Sequence, residues 1–188
     1  MTERVPDIER LDDVRALREL LDAAPFDVET VQRLLRVVGE LNVKPMELPL
    51  QLRRLRGDES AAAALVKLFM LGVTMERDRV DASLAPLGFA GLERLRLARN
   101  HEGGVRGTIR LIPHDDLYVA SDRPDEEAGA DHVAGIHRPS TTLSHLTVRR
   151  PVARALDVGT GNGIQALRAA RHAERVVATD INARALVF

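Results

Sequence analysis

The chain has 188 residues, of which 45% are hydrophobic and 29% charged, and its formal net charge is -1. This length suits either one ordinary domain or a smaller domain with part of another, and the composition is typical of a globular protein. A net charge so close to zero does not indicate a nucleic-acid partner. The absence of cysteine excludes disulfides, thiolate nucleophiles and thiolate-bound zinc, and we expect a cytoplasmic protein.

Membrane insertion and export are not expected either. No segment approaches the roughly 18–20 consecutive apolar residues of a membrane span, and the charged residues 1–10 precede no apolar segment. Aromatic residues make up only 3% of the chain and tryptophan is absent, which argues against a stacking platform for single-stranded nucleic acid.

The first hundred residues show helical periodicity. Apolar residues at three- and four-residue spacing predict helices from Asp7 to Ala24, from an N-cap at Asp27 to Val38, and from Ser60 to Leu71. The third is apolar nearly all round, so it should lie in the middle of its domain, and Pro45 and Pro49 predict a connection before it. Two shorter helices are predicted from Met75 to Leu84 and from Ala90 to Ala98.

A β-hairpin is predicted next. Two β-type runs, Val105 to Ile112 and Leu117 to Ala120, are joined by Pro-His-Asp-Asp. Helices followed by a hairpin are the order of a winged-helix module, so we expect residues 1–122 to form a winged-helix-like substrate-recognition domain. Its last helix and its hairpin should pack through Leu92, Leu95, Ile109 and Val119, and should leave Arg94, Arg99 and Arg106 facing solvent or substrate.

A second domain is predicted after an acidic stretch. Residues 123–150 are predicted to be a linker and a loop, because Ser121 to Asp131 is acidic and lacks periodicity. Residues 151–188 then show a strand from Val152 to Val158, a helix that ends near His172, a strand from Arg175 to Thr179 and the start of another helix. This order predicts an α/β fold with two parallel strands, the first part of a Rossmann-like domain.

The first of these strands runs into a glycine-rich turn, Leu-Asp-Val-Gly-Thr-Gly-Asn-Gly. Glycines there allow a tight turn and the close approach of a ligand. A dinucleotide site would carry its third glycine at Ile164, and Asp157 would repel a pyrophosphate but suit a cationic ligand. Asp180, at the end of the second strand, could accept hydrogen bonds from both hydroxyls of a ribose.

These residues resemble a known family. Ala-Leu-Asp-Val-Gly-Thr-Gly-Asn-Gly, followed by Val-Val-Ala-Thr-Asp-Ile-Asn, is similar to motif I and the acidic motif of class I S-adenosylmethionine-dependent methyltransferases. The most similar branch includes release-factor glutamine, N6-adenine and ribosomal-RNA guanine methyltransferases. The resemblance covers about 30 residues.

The resemblance implies S-adenosyl-L-methionine as cofactor and assigns residues to it. Gly159, Thr160 and Gly161 would line its methionine part, Asp157 would hold its amino group, and Asp180 would take the ribose hydroxyls, with Ile181 beside the adenine. The implied site comprises the whole turn together with the end of the second strand: Asp157, Val158, Gly159, Thr160, Gly161, Asn162, Gly163, Asp180 and Ile181.

Two further features of the sequence bear on this resemblance. The stretch from His137 to Leu143 resembles the family's Pro-rich loop before motif I, which implies cofactor contacts by Thr141 or Thr142, although Ser140 stands where the family has an acidic residue. The family's Asn/Asp-Pro-Pro-Tyr/Phe motif is absent before Phe188. We therefore expect a chain that holds the N-terminal portion of a methyltransferase and is inactive alone.

Three functions remain open at this point. The first is a methyltransferase portion whose substrate is nitrogen in RNA or protein, such as a ribosomal component or a translation factor. The second is a non-catalytic module that docks on RNA or protein, and the third is an NAD-dependent oxidoreductase, which the glycine spacing disfavours. No catalytic residue is indicated, and no metal site is expected at His132, His137 and His145.

Overall fold

In the computed structural model, which describes residues 5–41, 43–125 and 129–188, the chain divides into two units, Met1–Tyr118 and Val119–Phe188. Both units mix helices with short strands, so the expected α/β character is confirmed. Among the described residues, no helix is both long enough and apolar enough to cross a bilayer.

Helices dominate the first unit. A 3₁₀-helix, Pro45–Glu47, leads directly into the third α-helix, and a π-helix, Val66–Met70, continues the fourth. The six α-helices are α1 Leu11–Ala23, α2 Val28–Leu35, α3 Leu48–Arg54, α4 Ala61–Leu65, α5 Arg77–Ser83 and α6 Gly88–Arg94.

Side-chain caps begin two of these helices. The Asp27 carboxylate accepts a hydrogen bond from the Thr30 amide at 2.7 Å, as predicted, and the Ser60 hydroxyl accepts one from the Ala63 amide at 3.2 Å. The α4 helix and its π-helical continuation supply the centre of the core, where Leu65, Leu68 and Phe69 are completely buried. The prediction of a central, all-round apolar helix is therefore confirmed.

The predicted connection at Pro45 and Pro49 was wrong, because both prolines lie inside helical segments. Each occupies one of the first two positions of its helix. The first turn of a helix tolerates proline, since the amide that proline lacks would have no partner within the helix there. The two prolines therefore mark helix starts.

The predicted hairpin from Val105 to Ala120 is confirmed in its second strand and wrong in its first, which the structure divides between two hairpins. Ala98–His101 forms β1, which pairs antiparallel with β2, Gly104–Gly107, while β3, Arg110–His114, pairs with β4, Leu117–Ser121. The turn between β1 and β2 consists of Glu102 and Gly103, with φ of 47° and 78°. Two successive positive φ angles are typical of the tightest hairpin turns, so the chain reverses before Val105.

The acidic stretch from Ser121 to Asp131 was predicted to be an exposed linker, but its first residues are largely buried. Ser121 ends β4 and is 3% exposed, and Arg123 is 2% exposed. Asp122 accepts a hydrogen bond from the Val133 amide at 2.7 Å. Residues 121–123 are thus ordered and largely buried, while residues 126–128 of the predicted linker lie outside the described residues.

The second unit has a parallel pair of strands. The elements are α7 Arg138–Leu146, β5 Val152–Val158, α8 Ile164–Ala169 and β6 Ala173–Thr179. Strands β5 and β6 run parallel, with Leu156 opposite Val177 and Val158 opposite Thr179, which confirms the predicted strand–helix–strand arrangement. The expected helix after Ile181 is absent, because residues 183–187 form turns.

Candidate functional site

A glycine turn joins β5 to α8. Gly159, Gly161 and Gly163 have φ angles of 71°, 54° and 77°, in the left-handed region that favours glycine. A Cβ built on any of the three would meet no heavy atom within 4 Å, so the space beside the turn is open. The amides of Gly159 and Thr160 both donate to the Thr179 carbonyl, at 2.8 and 3.0 Å, and hold the turn against the end of β6.

The carboxylate of Asp157 lies in the last part of β5, directly before this turn. Its Oδ2 accepts a hydrogen bond from the Thr160 hydroxyl at 2.7 Å. Thr160 is buried, so this bond ties the turn back onto the strand from which it comes. A carboxylate oxygen has two lone pairs, and Asp157 therefore keeps acceptor capacity for a ligand.

Asp180 follows β6 and also reaches the glycine turn. Its Oδ2 accepts from the Gly161 amide and its Oδ1 from the Asn182 amide, both at 2.8 Å. These two backbone hydrogen bonds, first that of Asn182 and then that of Gly161, hold the pKa of the Asp180 carboxyl below its ordinary value. Asp180 is therefore a charged acceptor at neutral pH, and its carboxylate keeps acceptor capacity for a ligand.

Two asparagine side chains connect both turns to the segment before α7. Asn162 donates through Nδ2 to the Ala134 carbonyl at 3.0 Å, and Asn182 donates through Nδ2 to the Asp131 carbonyl at 2.9 Å. The Oδ1 atom of Asn162 also accepts from the Ile164 amide, at the start of α8. Segment 131–134 is thus hydrogen-bonded both to the glycine turn and to the residues that follow Asp180.

An ion pair that the sequence did not indicate supports this arrangement. Arg184 donates through both terminal nitrogens to the two carboxylate oxygens of Asp122, and the side chains are 8% and 16% exposed. Burial would raise the pKa of Asp122, but the guanidinium and the Val133 amide hold the pKa below its ordinary value. The partners are 62 residues apart, and no local pattern relates them.

The other predicted site residues have different surroundings. Thr141 and Thr142 lie on α7 and not in a loop, and the Thr141 hydroxyl is within 3.4 Å of the His137 carbonyl of the same helix. The side chain of Gln165 donates to the Ser140 carbonyl at 2.7 Å and so joins α8 to α7. Ile181 is fully exposed and Val158 is 76% exposed.

The carboxylates of Asp157 and Asp180, beside the glycine turn, could accept hydrogen bonds from a ligand that carries hydroxyl groups and a positive charge. Two carboxylates stand at the carboxyl ends of neighbouring parallel strands, with an open glycine turn between them. Among the described residues, no group of three or more His, Asp or Glu side chains has the arrangement of a metal site. The pair of carboxylates is therefore the main chemical feature of the second unit.

Of the three arginines expected to face solvent or substrate, Arg94 is paired within the first unit. Arg94 donates to both carboxylate oxygens of Asp13, at 2.8 and 2.6 Å, which joins α6 to α1. The guanidinium of Arg110 donates to the Leu41 carbonyl. Arg94 is thus neutralised inside its own unit, and this counts against a recognition role for the α6 surface. The four side chains expected to pack behind it, Leu92, Leu95, Ile109 and Val119, are all buried.

Comparison with known families gives one match, to the first unit. A family model described as a domain of unknown function, DUF7059, matches residues 23–108. No curated protein matches the chain. The family match thus covers α2 to α6 and the first hairpin, and it does not extend to the glycine turn.

Proposed function

We propose that the second unit binds S-adenosyl-L-methionine, and that the chain contributes the cofactor-binding part of a methyltransferase that acts on nitrogen in RNA or protein. One observation carries the proposal: Asp157 and Asp180 stand at the ends of neighbouring parallel strands and both are hydrogen-bonded to the same open glycine turn. In the proposal this unit is the beginning of a Rossmann-like domain.

The residues present fit the chemical groups of this cofactor. Asp180 is an ionised acceptor, and its remaining acceptor capacity suits a ribose hydroxyl. Asp157 offers a negative charge to the amino group and to the sulfonium centre. The glycines leave the open side of the turn without a Cβ, so a ligand can approach the backbone closely.

The same residues disfavour a dinucleotide. A pyrophosphate needs free amide donors at the turn, but the Gly161 amide is taken by the Asp180 carboxylate and the Gly159 and Thr160 amides by the Thr179 carbonyl. A pyrophosphate would also meet the negative charge of Asp157. These contacts support a cationic ligand over NAD.

The bound cofactor supplies an electrophilic methyl group on a sulfonium, and transfer to a nitrogen needs little acid–base chemistry from the protein. Positioning of the two reactants would then provide most of the rate enhancement. For the first unit we propose a winged-helix-like substrate-recognition role, with two short hairpins where a single longer one was expected. The proposed setting is the cytoplasm.

Calorimetry on the full chain tests the cofactor. The wild type should bind S-adenosylmethionine and S-adenosylhomocysteine but not NAD. Asp180→Asn and Asp157→Asn should each weaken binding roughly ten- to a hundredfold, because each removes a charged acceptor.

Glu174→Gln is the matched control for these variants, since Glu174 is an exposed carboxylate on β6 with no part in the turn. Its affinity should equal that of the wild type. Binding of NAD in place of S-adenosylmethionine, or no binding of either, would contradict the proposal.

A further inference from the structure

Two helix ends that are distant in sequence meet in the first unit. The Arg54 guanidinium, in the last turn of α3, donates to the carbonyl of Leu35, the last residue of α2. Leu35 and Leu55 are completely buried, so both helix ends are anchored in the core. This contact brings segment 33–36 beside segment 53–56.

The two segments together carry a concentration of positive charge that we call the arginine cluster. Each segment ends in exposed guanidinium groups, and neither contains a carboxylate. The exposed members of the cluster are Arg33, Arg36, Arg53 and Arg56. Since the whole chain has a net charge of -1, this surface is far more positive than the average.

The guanidinium groups of the arginine cluster lack the carboxylate partners that several other exposed arginines of the unit have. Within the described part of the chain, no carboxylate lies within 4.0 Å of the four exposed guanidinium groups, and Arg33 donates only to the Thr30 hydroxyl. Four other exposed arginines of the unit, Arg10, Arg15, Arg18 and Arg79, each lie within 4.0 Å of an aspartate or glutamate carboxylate. The cluster therefore keeps its donors available for an external anion.

We infer that the arginine cluster is a contact surface for the phosphate backbone of double-stranded RNA. A guanidinium presents a planar pair of donors that matches a phosphate, and several of them side by side suit a repeating polyanion. This inference rests on the proposed function, which leaves RNA and protein open as the methyl acceptor, and it selects RNA.

The aromatic residues favour a duplex over a single strand. Phe26, Phe69 and Phe89 are completely buried, and Tyr118 is partly buried and stacks on Phe26 at a ring-centre distance of 6.2 Å. Single-stranded RNA is held largely by stacking of its bases on exposed aromatic rings, which this unit lacks among its described residues. A duplex hides its bases and presents its phosphates.

Fluorescence anisotropy with the full chain and a labelled RNA duplex of about 20 base pairs tests the inference. The test variant carries Arg→Gln at positions 33, 36, 53 and 56, and the control carries Arg→Gln at positions 10, 15, 18 and 79, which changes the net charge equally. A third variant carries Arg→Lys at the four cluster positions. Melting temperature and calorimetry with S-adenosylmethionine are measured on every protein.

The cluster variant should lose affinity for the RNA duplex by at least about tenfold, with a shallower salt dependence, because each lost phosphate contact lowers the slope by about one. The control should retain wild-type affinity, and the Lys variant should retain most of it, since lysine keeps the charge. Affinity for S-adenosylmethionine should be the same in all four proteins.

Several results would overturn the inference. Equal losses in the cluster and control variants would show a dependence on net charge alone, and a lower melting temperature with unchanged RNA affinity would show a purely structural role. Equal binding of duplex DNA, or tighter binding of polyglutamate, would exclude RNA as the specific partner. Failure to bind S-adenosylmethionine with RNA binding intact would instead contradict the proposed function alone.

Discussion

Arg184 and Asp122 form a bidentate ion pair, which joins the segment that follows β4 to the segment that follows β6. The Arg184 backbone amide also donates to Asn182 Oδ1, and the Asn182 amide donates to Asp180. The ion pair is therefore linked through two hydrogen bonds to the carboxylate that we propose as the ribose acceptor. Loss of this ion pair should therefore lower both the stability of the second unit and its affinity for the ligand.

Removing the charge of Asp122 should destabilise the second unit. We expect Asp122→Asn to lower its free energy of unfolding by about 1–3 kcal/mol, because Arg184 would keep a largely buried charge without its partner. Hydrogen exchange at the Val133 amide, which donates to Asp122, should become faster. Glu174→Gln is the control; the same exchange rate in both variants would show that the pair contributes little.

The ion pair also predicts a dependence on pH. The pKa of Asp122 is held below its ordinary value of 3.8 in the folded protein, so its contribution to stability is fully present above about pH 4. That contribution is lost as the pH falls through the lower, folded-state pKa. Acid unfolding of the wild type should therefore be steeper than that of Asp122→Asn, and parallel acid transitions in the two proteins would argue against this.

The glycine turn should respond to the ionisation of Asp180. Since backbone hydrogen bonds lower the pKa of Asp180, the Gly161 amide should stay bonded from pH 8 down to about pH 4 and lose its partner only at lower pH. An NMR titration of the Gly161 amide shift measures this. A midpoint above the ordinary carboxyl value would contradict the hydrogen-bonding pattern, and Asp180→Asn should abolish the titration.

A methyl group at Gly107 should be poorly tolerated in the first unit. A Cβ at this position would lie 2.7 Å from the Leu68 carbonyl oxygen, which belongs to a π-helix and has little freedom to move. We expect Gly107→Ala to cost about 1–3 kcal/mol through this overlap. Gly103→Ala, where the Cβ meets nothing but φ is +78°, should cost only about 1 kcal/mol. Denaturant unfolding ranks the two, and the reverse order would refute the packing argument.

The pair between Arg94 and Asp13 offers a test of how α1 and α6 are joined. Because the Arg94 side chain is about half exposed to solvent, which screens the pair, either Arg94→Gln or Asp13→Asn should change the melting temperature only slightly. The double variant should be no less stable than the less stable single one. A strong drop for Arg94→Gln alone would show that the pair determines the position of α1.

Elements whose signals are local could be predicted from the sequence alone. The Asp27 cap, the buried helix from Ser60, the strand from Val152 to Val158 and its glycine turn depend on periodicity, capping and φ preferences within a few residues. The family resemblance assigned Asp157 and Asp180 to one site, and in the structure each carboxylate accepts a hydrogen bond from the glycine turn.

Contacts that join distant segments could not be predicted from the sequence and are seen only in the folded chain. Arg184 with Asp122, Arg94 with Asp13, and Arg54 with the Leu35 carbonyl connect residues 62, 81 and 19 positions apart, and no spacing rule relates such partners. The early turn at Glu102 and Gly103 likewise moved Val105 into the first hairpin. Ion pairs and strand partners depend on which surfaces meet when apolar side chains are buried, so they are properties of the packed chain.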